Sequence, residues 1–184
     1  MKKGFILVLV LVAVLAVWGV SSYNTMVSQQ EKVESSFADI EAQLQRRADL
    51  IPNLVNTVQG YMQHEQSVID AITAARESLL SAQGVQALSE ANAKLNETIR
   101  NLMVLVENYP ELKANENFMH LQDELAGTEN RIATVRRDYN DAVRTYNTTI
   151  KRIPGRLFAN TFGFFPAEYF EASEGSAEVP NVSF

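Results

Sequence analysis

Residues 116–152 read ENFMHLQDELAGTENRIATVRRDYNDAVRTYNTTIKR and carry the pattern that decides the fold. Seam residues recur there in steps of three and four. They are Phe118, Leu121, Leu125, Thr128, Ile132, Val135, Tyr139, Ala142, Tyr146 and Thr149, with Ile150 beside it, and Ile153 just after the stretch. This heptad-like spacing belongs to one face of a long α-helix and not to a strand. Asn115 is suited to cap the helix, and Pro154-Gly155 is suited to end it.

Two more helical stretches precede this one. The first has apolar residues at Phe37, Ile40, Leu44, Ala48, Ile51, Val55, Val58, Met62, Ile69 and Ile72. Pro52 falls inside this rhythm, which predicts one long helix kinked near Pro52, with a helix boundary there as the alternative. Residues 81–84 predict a connection to a second helix over 85–107, and Tyr109-Pro110 should end that helix.

Helices with such stripes must bury them against one another. The predicted fold is therefore all-α: an N-terminal transmembrane helix followed by an elongated antiparallel bundle of long, coiled-coil-like helices. We divide the chain into an anchor (1–22), a helical bundle (23–155), an aromatic amphipathic segment (156–172) and a flexible acidic tail (173–184).

The stretch from Phe5 to Val20 contains no polar or charged residue. At about 1.5 Å per residue it spans roughly 24 Å, slightly short of a ~30 Å hydrocarbon core. The predicted anchor residues are Phe5, Leu9, Leu15 and Trp18. Lys2 and Lys3 precede the span, so the positive-inside rule places the N-terminus in the cytoplasm and the bundle on the other side. A cleaved signal peptide is the competing interpretation, although no Ala-x-Ala motif is present.

The segment after the bundle is rich in aromatic residues. Phe158, Phe162 and Phe165 follow helical i, i+4, i+7 spacing, and Tyr169 continues it. These rings can fold back and cap the bundle, or they can contact a neighbouring subunit or the bilayer. We favour a subunit contact, which makes these four residues a candidate assembly surface.

Composition and motifs argue against chemistry and against nucleic acid. The formal net charge is -6, so most of the surface would repel a phosphate backbone. The chain has no cysteine, and His64-Glu65 lacks a second histidine at the spacing of a zinc protease motif, since position 68 is valine. No phosphate loop or nucleophile motif is found. We therefore predict no enzyme activity and no catalytic, metal or cofactor site.

Two groups of charged residues are candidates for a structural polar site. Arg46, Arg47 and Asp49 lie together in the first helix, and Glu129 and Arg131 lie together in the last long one. Ordinary helix-surface salt bridges explain such groups, for example Arg46 with Asp49. The alternative is a polar lock between helices or between subunits.

Many short motifs in one order resemble the LemA family. They are Tyr23-Asn24, residues 44–55 (LQRRADLIPNLV), Gly60-Tyr61 with His64-Glu65, residues 107–115 (ENYPELKAN), Leu121-Gln122, residues 128–133 (TENRIA), Tyr139-Asn140 through Tyr146-Asn147, Gly163-Phe164 and Tyr169-Phe170. The resemblance covers nearly the whole chain after the anchor. It raises the polar-lock interpretation of Arg46, Arg47, Asp49, Glu129 and Arg131.

The resemblance implies a helical bundle behind one transmembrane helix in a bacterial plasma membrane, with no established enzymatic activity. Members of this family include a magnetosome membrane protein associated with membrane formation, and family genes often neighbour membrane metalloproteases. We therefore expect a self-assembling, homo-oligomeric membrane scaffold. An adaptor for a membrane protease or another envelope complex is the alternative.

Overall fold

The computed structural model describes residues 2–62 and 64–171, and within these ranges the protein is helical with no strand. The described helices are α1 (Lys2–Gln59), α2 (Gln66–Ser81), α3 (Val85–Val106), α4 (Pro110–Lys113), α5 (Glu116–Lys151) and α6 (Gly155–Phe162). The all-α prediction is confirmed. The predicted acidic tail, residues 173–184, lies outside the described residues.

The ends of α3 and α5 agree closely with the sequence pattern. Asn115 Oδ1 accepts the backbone N–H of Phe118 at 3.0 Å, so the predicted cap of α5 is present. The prediction that the first helix continues to Ile72 was wrong, because α1 ends at Gln59 and α2 begins at Gln66. Glycine is the poorest helix former after proline, and Gly60 stands at this break.

Pro52 lies inside α1, which continues for seven more residues, so the alternative of a boundary at Pro52 does not hold. A proline has no N–H and leaves the carbonyl four residues earlier without its helical donor. That carbonyl belongs to Ala48, and Arg76 Nε on α2 donates to it at 2.8 Å. A side chain from another helix thus replaces the hydrogen bond that Pro52 removes.

Arg76→Met is expected to lower the free energy of unfolding by about 1–3 kcal/mol, because it leaves the carbonyl of the buried Ala48 without a partner. In a Pro52→Ala background the alanine N–H can supply the missing bond, so the same substitution should cost much less. Chemical unfolding of the four proteins in detergent, followed by circular dichroism, measures this coupling. Equal costs in both backgrounds would show that Arg76 acts elsewhere.

The chain divides into two compact units. Of the described residues, the first contains 2–38 and 138–168, and the second contains 39–62, 64–137 and 169–171. In the second unit, α2 and α3 pack against each other. Its core is mainly aliphatic, with α1 contributing Ile40, Leu44, Ala48, Ile51, Leu54 and Val58, and α3 contributing Leu88, Leu95, Ile99, Leu102 and Val106. The rings of Phe118 and Phe170 are also buried in it.

The first unit has a smaller core, of which aromatic and polar side chains form a larger share. Its buried side chains include Met26, Val33, Ser36, Tyr139, Val143, Tyr146, Asn147, Ile150 and Phe164. The ring of Phe37 on α1 lies 5.7 Å from that of Tyr139 on α5. The predicted seam of α5 holds as far as Ile150, but its last member, Ile153, is exposed because α5 has already ended at Lys151.

Candidate functional site

A buried arginine is the most unusual polar feature of the second unit. The Arg47 side chain is 4% exposed, and its guanidinium pairs with Glu129, whose side chain is 43% exposed. Arg47 Nη1 also donates to Asn92 Oδ1 at 3.2 Å. Burial lowers the pKa of Arg47, and the Glu129 carboxylate acts in the opposite direction. One cation therefore links α1, α3 and α5.

The other predicted members of the polar lock lie apart from this pair. Arg46 pairs with Glu124 on α5 at 3.1 Å, and both side chains are partly exposed. Asp49 Oδ1 accepts from Gln45 Nε2 at 2.9 Å within α1, so it does not form the expected pair with Arg46. The guanidinium of Arg131 lies against Gly127 one turn earlier in its own helix.

Two residues of this cluster, Asn92 and Glu124, are not among those predicted from the sequence. Asn92 is 2% exposed and occupies the core face of α3 between Leu88 and Leu95. A polar residue at a seam position was the signal for it, because buried amides need a partner. Glu124 is one of many acids on helix surfaces and gives no comparable signal.

In the first unit, the apolar start of α1 has scarcely any cover from the other described residues and is long enough to cross a membrane. The predicted anchor residues Phe5, Leu9, Leu15 and Trp18 are all exposed. Exposed aliphatic side chains in an unbroken row are expected where lipid is the solvent. The side chains of Lys2 and Lys3 lie outside the described residues.

A groove of about 820 Å³ runs along one face of α1, from the last part of the apolar segment into the residues after it. Its lining combines the apolar Ala16, Val17 and Val20 with the polar Ser21, Asn24, Thr25, Ser28 and Gln29. The Oε1 atom of Gln29 is buried and has no hydrogen-bond partner within the described chain. A buried amide oxygen normally accepts a hydrogen bond.

The C-terminal aromatic segment contacts α1 of its own chain. Phe158 stacks on Phe162 at 6.1 Å, and Phe162 meets the ring of Tyr23 edge-on at 5.1 Å. Tyr23 also meets the buried Phe164 at 5.6 Å. Of the candidate assembly surface, Phe158 is half-buried, while Phe162, Phe165 and Tyr169 are exposed. Whether these four residues contact another subunit stays a prediction.

Hydrogen bonds to α5 hold the chain after α6. Asn147 Nδ2 donates to the Ala167 carbonyl at 2.8 Å, and Asn147 Oδ1 accepts the Ala167 N–H at 2.9 Å. The Tyr139 hydroxyl donates to the Glu168 carbonyl at 2.8 Å. Burial, with a smaller effect from Glu168, raises the pKa of Tyr139 to about 12, so the hydroxyl keeps its proton at neutral pH. The Tyr-Asn motifs of α5 thus bind this segment.

Groups suited to catalysis do not converge in the part of the chain that the structure covers. His64 and His120 are both exposed. No three His, Asp or Glu side chains approach closely enough to hold a metal ion in residues 2–62 and 64–171. The ion pairs described above instead join one helix to another.

Comparison with known proteins identifies the family to which this chain belongs. A family model for the LemA family matches residues 36–184, which is most of the chain. The chain belongs to the LemA family. It is also 31% identical over 175 residues to magnetosome protein MamQ 2 of Paramagnetospirillum magneticum, and the match covers 81% of this chain and 64% of that protein.

Two further relatives agree with this assignment. Magnetosome protein MamQ of Magnetospirillum gryphiswaldense is 28% identical over 174 residues, with 80% of this chain and 64% of the relative covered. Protein LemA of Metamycoplasma hominis is 26% identical over 153 residues, with 82% and 69% covered. The chain thus spans a little under two thirds of the length of the MamQ relatives. As a LemA-family chain with this apolar helix, it is a membrane-associated helical protein.

Proposed function

We propose that this protein is a non-enzymatic membrane scaffold whose copies associate side by side through the groove on α1 and organise the membrane around them. The groove carries the proposal. It begins within the apolar segment and continues past it, from Ala16 to Gln29, so an occupant must enter the membrane beside α1. The α1 helix of a second copy meets this requirement, because the same segment anchors it at the same depth.

The lining of the groove suits a helix partner. Ala16, Ser21 and Ser28 are small enough to let two helix backbones approach closely, as small residues do where helices pack in membranes. Asn24, an exposed member of the lining, offers both a donor and an acceptor to a partner helix. Two of the relatives are named for the magnetosome, and this name favours a part in a cellular structure over a metabolic reaction.

Introducing charge and bulk into the groove should abolish assembly. We expect the detergent-solubilised protein to have a protein mass that is a multiple of 20.6 kDa by light scattering, and the Asn24→Arg/Ser28→Arg variant to be monomeric. Gln30→Arg, an exposed position outside the groove lining, is the matched control and should assemble normally. A monomeric parent protein at micromolar concentration would refute the scaffold. A single stoichiometric partner recovered from native membranes would favour an adaptor.

We also propose that the N-terminus is cytoplasmic and that the helical domain lies on the periplasmic or extracellular side of the bacterial plasma membrane. Lys2 and Lys3 precede the span, and the next basic residue after it is Lys32, which supports this orientation. Protease added to intact spheroplasts should therefore digest the domain after α1. Complete protection, with digestion only after lysis, would reverse the topology.

A further inference from the structure

We propose that the corner between α5 and α6, residues 151–157, is a second membrane-binding element that docks on an anionic lipid surface. In this arrangement Ile153 and Leu157 enter the boundary of the hydrocarbon layer, and the basic collar (Lys151, Arg152 and Arg156) binds lipid phosphates. This docking requires only one copy of the chain, so it does not depend on self-assembly.

The corner lies beside the end of the apolar segment of α1. Trp18 lines a cleft of about 480 Å³ together with Ile153, Pro154 and Gly155. The ring of Phe158 lies 3.6 Å from the position that a Cβ on Gly19 would occupy. A Cβ built at Gly155 would overlap the Thr149 carbonyl oxygen, so glycine allows α6 to turn back tightly on α5. These contacts place the corner at the level of Trp18 and Gly19.

That level is where the membrane surface is expected. The apolar stretch ends at Val20, two residues after Trp18, so the boundary of the hydrocarbon layer is expected close to Trp18. Trp18 and Tyr23 are exposed amphipathic rings of the type found at membrane interfaces. A corner beside Trp18 therefore lies against the lipid headgroups.

The side chains of the corner match that environment. Ile153 is 75% exposed and Leu157 is 65% exposed, one helical turn apart in sequence. Lys151, Arg152 and Arg156 are exposed around them. Apolar side chains flanked by lysine and arginine are the pattern of helices that lie in the interface of an anionic membrane.

Local charge favours lipid despite the acidic composition of the chain. None of the 22 acidic residues falls in residues 4–30 or 142–167, the two stretches that meet at this end of the first unit. Charges farther away than the ~10 Å Debye length contribute little at about 0.1 M salt. A second copy facing the corner symmetrically would bring two basic collars together, which charge repulsion disfavours. An anionic bilayer is the occupant that satisfies both the charges and the apolar side chains.

Single cysteines can report the depth of the corner, because the chain has no cysteine of its own. Full-length Ile153→Cys, Leu157→Cys and Asp141→Cys proteins are labelled with the dye NBD and placed one copy per nanodisc. The lipid is phosphatidylcholine, alone or with an equal part of phosphatidylglycerol, and a brominated lipid serves as quencher. We expect quenching at 153 and 157 to exceed that at 141 several-fold, and to increase with phosphatidylglycerol.

Charge variants test the collar. Each basic residue near an anionic surface favours docking by about fivefold, so Lys151→Gln/Arg152→Gln/Arg156→Gln should remove most of the phosphatidylglycerol-dependent quenching. The control, Lys94→Gln/Arg100→Gln/Arg137→Gln, changes the net charge equally at exposed positions elsewhere and should retain it. Equal quenching at all three dye positions would overturn the proposal. Blue-shifted dye emission only when two copies share a nanodisc would also overturn it, since that result indicates a protein contact.

Discussion

Replacing Glu129 by alanine should lower the free energy of unfolding by about 2–3 kcal/mol, although Glu129 itself lies at the surface. The loss arises from its partner. The Arg47 side chain is only 4% exposed, and without Glu129 its positive charge would retain, among the described side chains, the hydrogen bond to Asn92 alone. A buried pair that loses one member typically costs about 3–5 kcal/mol, and we reduce this figure because the Glu129 side chain is 43% exposed.

Removing the positive charge of Arg47 together with Glu129 should remove most of this loss of stability. In an Arg47→Met background the guanidinium is gone, so Glu129→Ala should cost under about 1 kcal/mol. The single Arg47→Met variant still leaves the buried Asn92 oxygen without its donor and should be destabilised by about 1–3 kcal/mol. Chemical unfolding of the four proteins in detergent gives the coupling energy between the two side chains.

The pair formed by Arg46 and Glu124 is the matched control. It joins the same two helices, but the Arg46 side chain is 57% exposed and that of Glu124 is 34% exposed. Water replaces the lost partner there, so Glu124→Ala should cost under about 1 kcal/mol. Equal losses for Glu129→Ala and Glu124→Ala would mean that burial of Arg47 does not determine the energetics, and the polar-lock role would then be unsupported.

Sequence pattern predicted the helices well where local chemistry decides them. The bounds of α3 and α5 follow from Gly84, Asn115 and the prolines at 110 and 154, whose effects act within a few residues. The pattern misplaced the end of α1, because the apolar rhythm resumes at Ile69 after the break at Gly60. Periodicity alone does not distinguish one helix from two helices in the same phase.

Long-range partners account for most of what the sequence could not show. The bond from Arg76 to the Ala48 carbonyl joins residues in different helices and makes Pro52 tolerable inside α1. No residue near Pro52 in the sequence indicates that Arg76 supplies this donor. The role of Asn147 as a bidentate partner of the Ala167 backbone is likewise invisible until the C-terminal segment is placed beside α5.

The sequence predicted the polar cluster in part. Arg47 and Glu129 were singled out with three other charged residues, and the structure joins only these two of the five directly. Burial distinguishes Arg47 from its neighbour Arg46, and burial depends on the phase of α1 relative to its core. Since Leu44, Ala48 and Ile51 define that phase in the sequence, position 47 could have been recognised as lying next to the core face.

Phe170→Ala should lower the free energy of unfolding by about 3–5 kcal/mol, whereas Phe165→Ala should change it by less than about 0.5 kcal/mol. The two rings lie five positions apart in the same C-terminal segment, but Phe170 is fully buried and Phe165 is exposed. Truncating a buried ring removes its transfer energy and leaves a cavity. Truncating an exposed ring does neither.

Comparing Phe170→Ala with Phe165→Ala distinguishes the two roles that the sequence leaves open for the aromatic segment, which are capping the fold and contacting another subunit. A ring that caps the fold contributes to the stability of the isolated chain, and the burial of Phe170 together with the hydrogen bonds at Ala167 and Glu168 assigns this role to part of the segment. A ring in an assembly surface contributes only when a second copy is present. Of the exposed rings of the candidate assembly surface, Phe162 already contacts Tyr23, so that role falls to Phe165 and Tyr169.

Unfolding and assembly should therefore be measured on the same variants. We expect Phe170→Ala to unfold at lower temperature, and Phe165→Ala/Tyr169→Ala to unfold normally but to assemble less in light scattering. If the double variant assembles as the parent does, the rings do not form a subunit contact, and the α1 groove alone must account for association. If Phe170→Ala is as stable as the parent, the C-terminal segment does not cap the fold, and its buried position contributes no net stability.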